Sequence, residues 1–281
     1  MLSPSVRVIG WDAAVDPRNN ALARLTVSTD ATGEPGTAGG RWTIRVDRIR
    51  DPRTSRHLVE TVAEWCTTDA MPVMLCVDAP IGWPEAMGTA LVTHRAGEPI
   101  EASADALFRR HTDHDIRRRL GKTPLDIGAD RIARAALATL RALDDIRTYL
   151  RVRGGSRVLQ VATTTAECLP RDGIVPVLES YPAGWFASEG IPTRGYRPPA
   201  AEDRRSELWA AAVAAQERGG RRLALDVPET AITARADDLD AVVAAFNGID
   251  ALTGRCPGPH EGLRTAVERE GWIWCKDRMP A

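Results

Sequence analysis

Apolar and polar positions change period several times along the chain, and each change marks an element. Val6–Trp11 is a short, β-branched apolar run that stops at Asp12, the pattern of a buried strand. Ala21–Ser28 and Arg41–Ile49 alternate apolar with polar positions, separated by a glycine-rich stretch at Gly33, Gly36, Gly39 and Gly40. Three strands in succession with turn-like links predict an antiparallel meander. Ser55–Thr67 then places Leu58, Val59, Val62, Ala63 and Cys66 at helical spacing. Met71–Asp78 is almost wholly apolar, as a strand covered on both faces would be, and ends at Asp78 before two prolines, Pro80 and Pro84. Ala102–Arg151 reads as two or three helices broken near Gly121–Gly128, and Val175–Pro182 as a further short strand. Glu202–Arg218 and Asp237–Leu252 read as helices, and Trp272–Cys275 as a closing edge strand or a loop packed on the core. The expected fold is therefore α/β: three antiparallel strands, then parallel ones, with helices on both faces and a helical insertion.

The chain has 281 residues, 43% hydrophobic and 27% charged, which suits a globular fold and excludes disorder or a collagen-like repeat. Without internal repeats or a low-complexity linker, one domain over residues 1–281 is expected, the helical insertion falling at about residues 94–155. Five cysteines with no CxxC or CxxH spacing argue against a disulfide framework or a zinc ribbon and for a reducing, cytoplasmic setting. No signal-like or membrane-spanning apolar run is present in the sequence, so no membrane association is expected. A net charge of −1 gives no global attraction to nucleic acid, so such binding requires a local patch. Of 37 basic residues only Lys122 and Lys276 are lysine; the arginine excess is either a set of phosphate-reading forks or a coding bias.

Acids at strand ends carry the candidate chemistry. Asp12 ends the first strand, Asp78 the buried fourth, Glu179 lies within the later strand, and Asp237, Asp238 and Asp240 open a late helix. A carboxylate on an apolar strand is expensive to desolvate unless it is paired or binds a metal. Oxygen donors without a convincing histidine or cysteine set suit Mg²⁺ or Mn²⁺, and such ions support phosphodiester hydrolysis. The alternative is local: Asp12 and Asp78 cap turns, and the Asp237–Asp240 cluster stabilises a helix N-terminus. On the helix, Leu239, Val242, Val243 and Phe246 form the core stripe; Asp240 is the first choice as ligand, Asp237 its partner and Asp238 the reserve.

A second candidate is Phe108–Lys122, where Arg109, Arg110, Arg117, Arg118 and Lys122 could follow a phosphate backbone, or else form a solvated helix laced with ion pairs. His111 and His114 lie three apart and are either proton carriers, metal ligands or surface residues. Tyr181-Pro182 and Trp83-Pro84 offer either a stacking wall beside the acids or ordinary core packing. The chain lacks a G-x-S-x-G elbow, a Walker A loop and a G-x-G-x-x-G turn after the first strand, which removes the main support for serine hydrolases, P-loop NTPases and dinucleotide oxidoreductases.

The chain resembles the DUF429 proteins, a bacterial and archaeal family described as predicted nucleases of ribonuclease H-like fold. The likeness rests on the strand reaching Asp12, on Val77-Asp78-Ala79-Pro80-Ile81-Gly82-Trp83-Pro84, and on Arg110-His111-Thr112-Asp113 leading to Gly121. It continues in Glu179-Ser180-Tyr181-Pro182, Asp237-Asp238-Leu239-Asp240-Ala241 and Glu270-Gly271-Trp272-Ile273. The resemblance implies a ribonuclease H-like mixed sheet, which the strand plan also suggests, with Asp12, Asp78 and Asp240 where the fold's metal-binding acids stand. The expectation is a Mg²⁺- or Mn²⁺-dependent nuclease with Asp12, Asp78, Glu179 and Asp240 catalytic and Asp12, Asp78, Asp237 and Asp240 holding metal. Its expected partner is a nucleic acid or nucleotide. Two rivals stand beside it: a non-catalytic nucleic-acid or nucleotide binding module, and an actin-like ATPase or phosphotransferase, which the glycine-poor first hairpin disfavours.

Overall fold

A computed structural model describes residues 5–29, 42–128, 130–153 and 155–278. In chain order the elements are β1 (Ser5–Asp12), β2 (Ala21–Thr29), β3 (Trp42–Arg50), α1 (Ser55–Thr67), β4 (Val73–Asp78), α2 (Glu85–Leu91), α3 (Ala104–Phe108), α4 (His111–Leu120) and α5 (Asp130–Val152). There follow β5 (Val158–Val161), β6 (Ile174–Glu179), α6 (Pro182–Ser188), α7 (Glu202–Arg218), β7 (Arg221–Leu225), α8 (Glu229–Thr233), α9 (Ala236–Leu252) and α10 (Arg264–Glu270). The seven strands form one mixed sheet in the order β5-β6-β4-β1-β2-β3-β7. β1, β2 and β3 pair antiparallel as the meander requires, and β1–β4, β4–β6, β5–β6 and β3–β7 are parallel. The glycine-rich link expected between β2 and β3 lies outside the described residues.

The sheet is covered on both faces. On one face, Ile9, Trp11, Leu75 and Val77 pack against α1 and against Leu143 and Ile146 of α5. On the other, Val8, Met74 and Cys76 pack against α9, whose residues from Ala236 to Leu252 are all buried except Asp237. The continuously apolar β4 follows from this: a central strand between two helical layers has no solvent face. A close approach makes the second layer possible. A Cβ on Gly10 would collide with the Ala241 carbonyl oxygen and lie 2.9 Å from the Ala245 nitrogen, so only glycine allows α9 to lie directly on β1.

Two strands hidden in the sequence complete the sheet. β5 is a four-residue edge strand with Val158 exposed, too short to show a period. β7 opens with two arginines, and its first, Arg221, is buried by pairing with Asp250 at 2.7 Å and Gln216 at 3.0 Å. Buried charge disguised it as a polar link between helices. Trp272–Cys275 is a buried loop rather than a strand; it makes one bridge, Glu179 to Ile273. The helical segment expected as an insertion is partly core, since α5 covers a face of the sheet beside α1. No helix among the described residues is long and apolar enough to cross a membrane.

Candidate active site

The two-residue strand period decides which acids meet. Val6, Val8, Gly10 and Asp12 point toward α9, and so do Met74, Cys76 and Asp78 on the adjoining parallel strand. Asp12 and Asp78 are directly paired across that register, at the last position of each strand. α9, drawn onto β1 at Gly10, delivers Asp240 to the same place. Asp12 and Asp78 are half-buried and their side chains make no hydrogen bond or ion pair among the described residues, whereas Asp240 is fully buried.

These carboxylates raise one another. Burial pushes Asp12 well up, and Asp240, Asp78 and Asp237 add to the effect. Burial also pushes Asp78 well up, reinforced by Asp240 and opposed by Arg197. Asp240 is pushed up to about 6 by burial, although Arg197 and Tyr196 ease it. The Tyr196 hydroxyl donates to both Asp240 oxygens, at 2.9 and 2.8 Å, and Arg197 donates to Asp240 at 3.2 Å. Like charges held together in a poorly solvated place favour a cation or a proton there. Arg197 is the counter-charge the protein itself supplies, on a side chain 64% exposed.

Asp237 lies in the first turn of α9, partly exposed, close enough to raise Asp12 and Asp240. Asp238 is turned away into a pair with Arg235 at 2.8 Å. Glu179 departs from the expectation. It shares the pleat side of Val175 and Val177, opposite to that of Leu178. It is buried, receives 2.7 Å hydrogen bonds from both terminal nitrogens of Arg110, and accepts from the Ile81 amide at 3.2 Å. That network takes three of its roughly four acceptor sites, and its charge still helps to raise Asp78.

The same network removes Arg110 from solvent. Only 2% exposed, it also pairs with Asp113 at 3.0 Å and donates to the Glu270 carbonyl at 3.0 Å, and so cannot follow a phosphate backbone. Arg109 pairs with Asp126 at 3.0 Å and Arg118 with Asp115 at 2.5 Å; Arg117 and Arg118 are exposed on α4. Lys122 follows α4 after Gly121, whose φ of 66° ends the helix. His111 Nδ1 lies 2.9 Å from Glu270, in a separate cluster, and His114 is exposed.

Among the described residues no three of His, Cys, Asp and Glu converge as a ready-formed metal cage. The donor chemistry nevertheless fits a hard divalent cation: among the described residues there are two carboxylates whose side chains have no protein partner, a third held beside them, and no nitrogen or sulfur ligand. Sequence reasoning missed Tyr196 and Arg197. They sit in the loop between α6 and α7, where no period reports which way a side chain points.

Neither the curated proteins nor the solved structures compared with this chain include a match. The family whose description reads "Protein of unknown function (DUF429)" matches residues 15–262, a span that includes Asp78, Asp237 and Asp240 and begins three residues after Asp12. With most of its length matched, the chain belongs to the DUF429 family.

Proposed function

We propose that the protein has a ribonuclease H-like fold and hydrolyses phosphodiester bonds with Mg²⁺ or Mn²⁺. The observation that carries this is the pairing of Asp12 with Asp78 at adjoining parallel strand ends, with Asp240 brought beside them by α9, all three held above the ordinary carboxylate range. Asp12 and Asp78 would hold the cation, with Asp240 completing the set and Asp237 at its edge. A bound divalent ion supplies positive charge to a phosphate oxygen and acidity to an attacking water. Arg197 and Tyr196 fix the Asp240 carboxylate, and the Arg197 guanidinium is free on its exposed side to meet a phosphate. Full burial of Asp240 keeps solvent from screening its charge.

One observation favours the non-catalytic reading, in which the same cleft binds a nucleic acid or nucleotide without turning it over. Arg197 already lowers the pKa values of Asp12, Asp78 and Asp240, so part of a cation's role is filled by the protein. Calorimetric titration of Mg²⁺ and Mn²⁺ into the wild type, Asp12→Asn and Asp240→Asn separates the two, beside cleavage assays on single-stranded, duplex and branched DNA and RNA. Metal binding lost in both variants, with cleavage that requires metal, supports hydrolysis. Nucleic-acid binding with no metal-dependent cleavage favours the binding module.

A further inference from the structure

A cleft of about 430 Å³ opens beside the carboxylates, lined by Lys122, Thr123, Leu125, Tyr181, Tyr196 and Arg197 among others. It adjoins the acids through side chains already described. Tyr196 and Arg197 hold Asp240, and the Tyr181 hydroxyl is close enough to Asp78 for that carboxylate to help push it up.

The lining has a sign of its own. It contains two cations and four residues bearing hydroxyls, and no aspartate or glutamate. Lys122 makes no hydrogen bond or ion pair among the described residues, unlike Arg109, Arg118 and Arg119 on the same segment. In a chain of net charge −1, an acid-free cleft with two cations is a local anion site set against an acidic cluster. Such a pairing suits a phosphodiester chain: one phosphate at the carboxylates and its neighbour between Lys122 and Arg197. The Tyr181 ring rests against Gly184 and lines the cleft, and Leu125, 71% exposed, gives its mouth an apolar edge. An aromatic ring and an apolar rim beside paired cations are the elements that bind unstacked bases.

Size selects among nucleic acids. The volume lies near the lower end of the roughly 300–1,000 Å³ range of small-molecule sites, room for about one nucleotide and not for a duplex. A base inside a double helix has no exposed face to offer Tyr181, whereas a single strand does. We infer that the cleft takes one unpaired nucleotide, with its phosphate between Lys122 and Arg197 and its base along Tyr181, so that single-stranded nucleic acid is the substrate class. This rests on the phosphodiester reading of the adjoining acids.

The test is fluorescence anisotropy in EDTA, where metal-dependent cleavage is silent, using a labelled twelve-residue oligothymidylate and a duplex of equal length. The wild type should bind the single strand about tenfold more tightly than the duplex, the gain of one stacked base. Lys122→Ala, at a partly exposed position past a helix end, should keep the wild-type melting temperature. It should weaken single-strand binding and lower the slope of log K against log salt by about 0.7, the loss of one phosphate contact. Thymidine monophosphate should compete better than inorganic phosphate; equal competition would reduce the site to a phosphate pocket and overturn the nucleotide assignment. Equal binding of duplex and single strand, or an unchanged salt slope in Lys122→Ala, overturns the proposal. Its failure is separable from that of hydrolysis: single-strand binding that depends on Lys122 upholds the cleft even if no substrate is cleaved. Cleavage indifferent to Lys122 upholds the acids and rejects the cleft.

Discussion

The charge conflict among the aspartates has a thermodynamic signature that needs no substrate, and Asp240→Asn exposes it. In the folded protein Asp240 is fully buried and its pKa rises from an ordinary 3.8 to about 6. The folded carboxyl therefore keeps its proton to higher pH than the unfolded one, and folding takes up protons between about pH 4 and pH 6. Stability falls as pH rises through that window, and the loss is complete at neutral pH. A shift of about two units at about 1.4 kcal/mol each amounts to about 3 kcal/mol. Asparagine keeps the shape and an acceptor for Tyr196 but carries no charge, so the variant escapes the loss, and it relieves Asp12 and Asp78 as well. Metal-free Asp240→Asn should thus be about 3 kcal/mol more stable than the wild type at pH 7.5, roughly 6 °C in melting temperature for a chain of this size. Near pH 3.5, where the wild-type carboxyl is protonated, the difference should vanish. Urea unfolding and calorimetry in EDTA from pH 3.5 to 8 measure it. A difference that does not change with pH, or a variant less stable than wild type at pH 7.5, would refute the reasoning.

Three further predictions follow from the packing. Gly10→Ala drives a methyl group into the backbone of α9 and should lower stability by about 3 kcal/mol or more, read by urea unfolding, and abolish metal binding by displacing Asp240. Arg110→Ala strands Glu179 and Asp113 as buried charges and should reduce stability by about 3–5 kcal/mol; simultaneous Glu179→Gln should recover part of that loss in a double-mutant cycle. All five cysteines are buried, and burial pushes the Cys66, Cys76 and Cys275 thiols up to about 12, so a thiol reagent at pH 8 should titrate none of them until the protein unfolds.

The pattern of apolar residues determined the meander, β4, β6 and the helices α1, α7 and α9, because burial on one face or two leaves a period that the chain carries locally. It also singled out Asp12, Asp78 and Asp240, since an acid closing an apolar strand or opening a buried helix is conspicuous without any partner. What it did not carry were the consequences of pairing. β7 was masked by Arg221, an arginine buried only because Asp250 on α9 receives it. Glu179 and Arg110 looked like separate candidates for catalysis and phosphate binding, and the tertiary structure spends each on the other. A local signal existed for one of them: Glu179 falls on the opposite pleat side from Leu178, but only the register with β4 shows which side the aspartates occupy. Tyr196 and Arg197 reach Asp240 from a loop, where side-chain direction is set by neighbours distant in sequence. The sequence by itself determined which acids were costly to bury, since that depends on the apolar run around each. Tertiary structure alone decided which met unpaired charge, because an ion pair depends on distance in space and leaves no period along the chain.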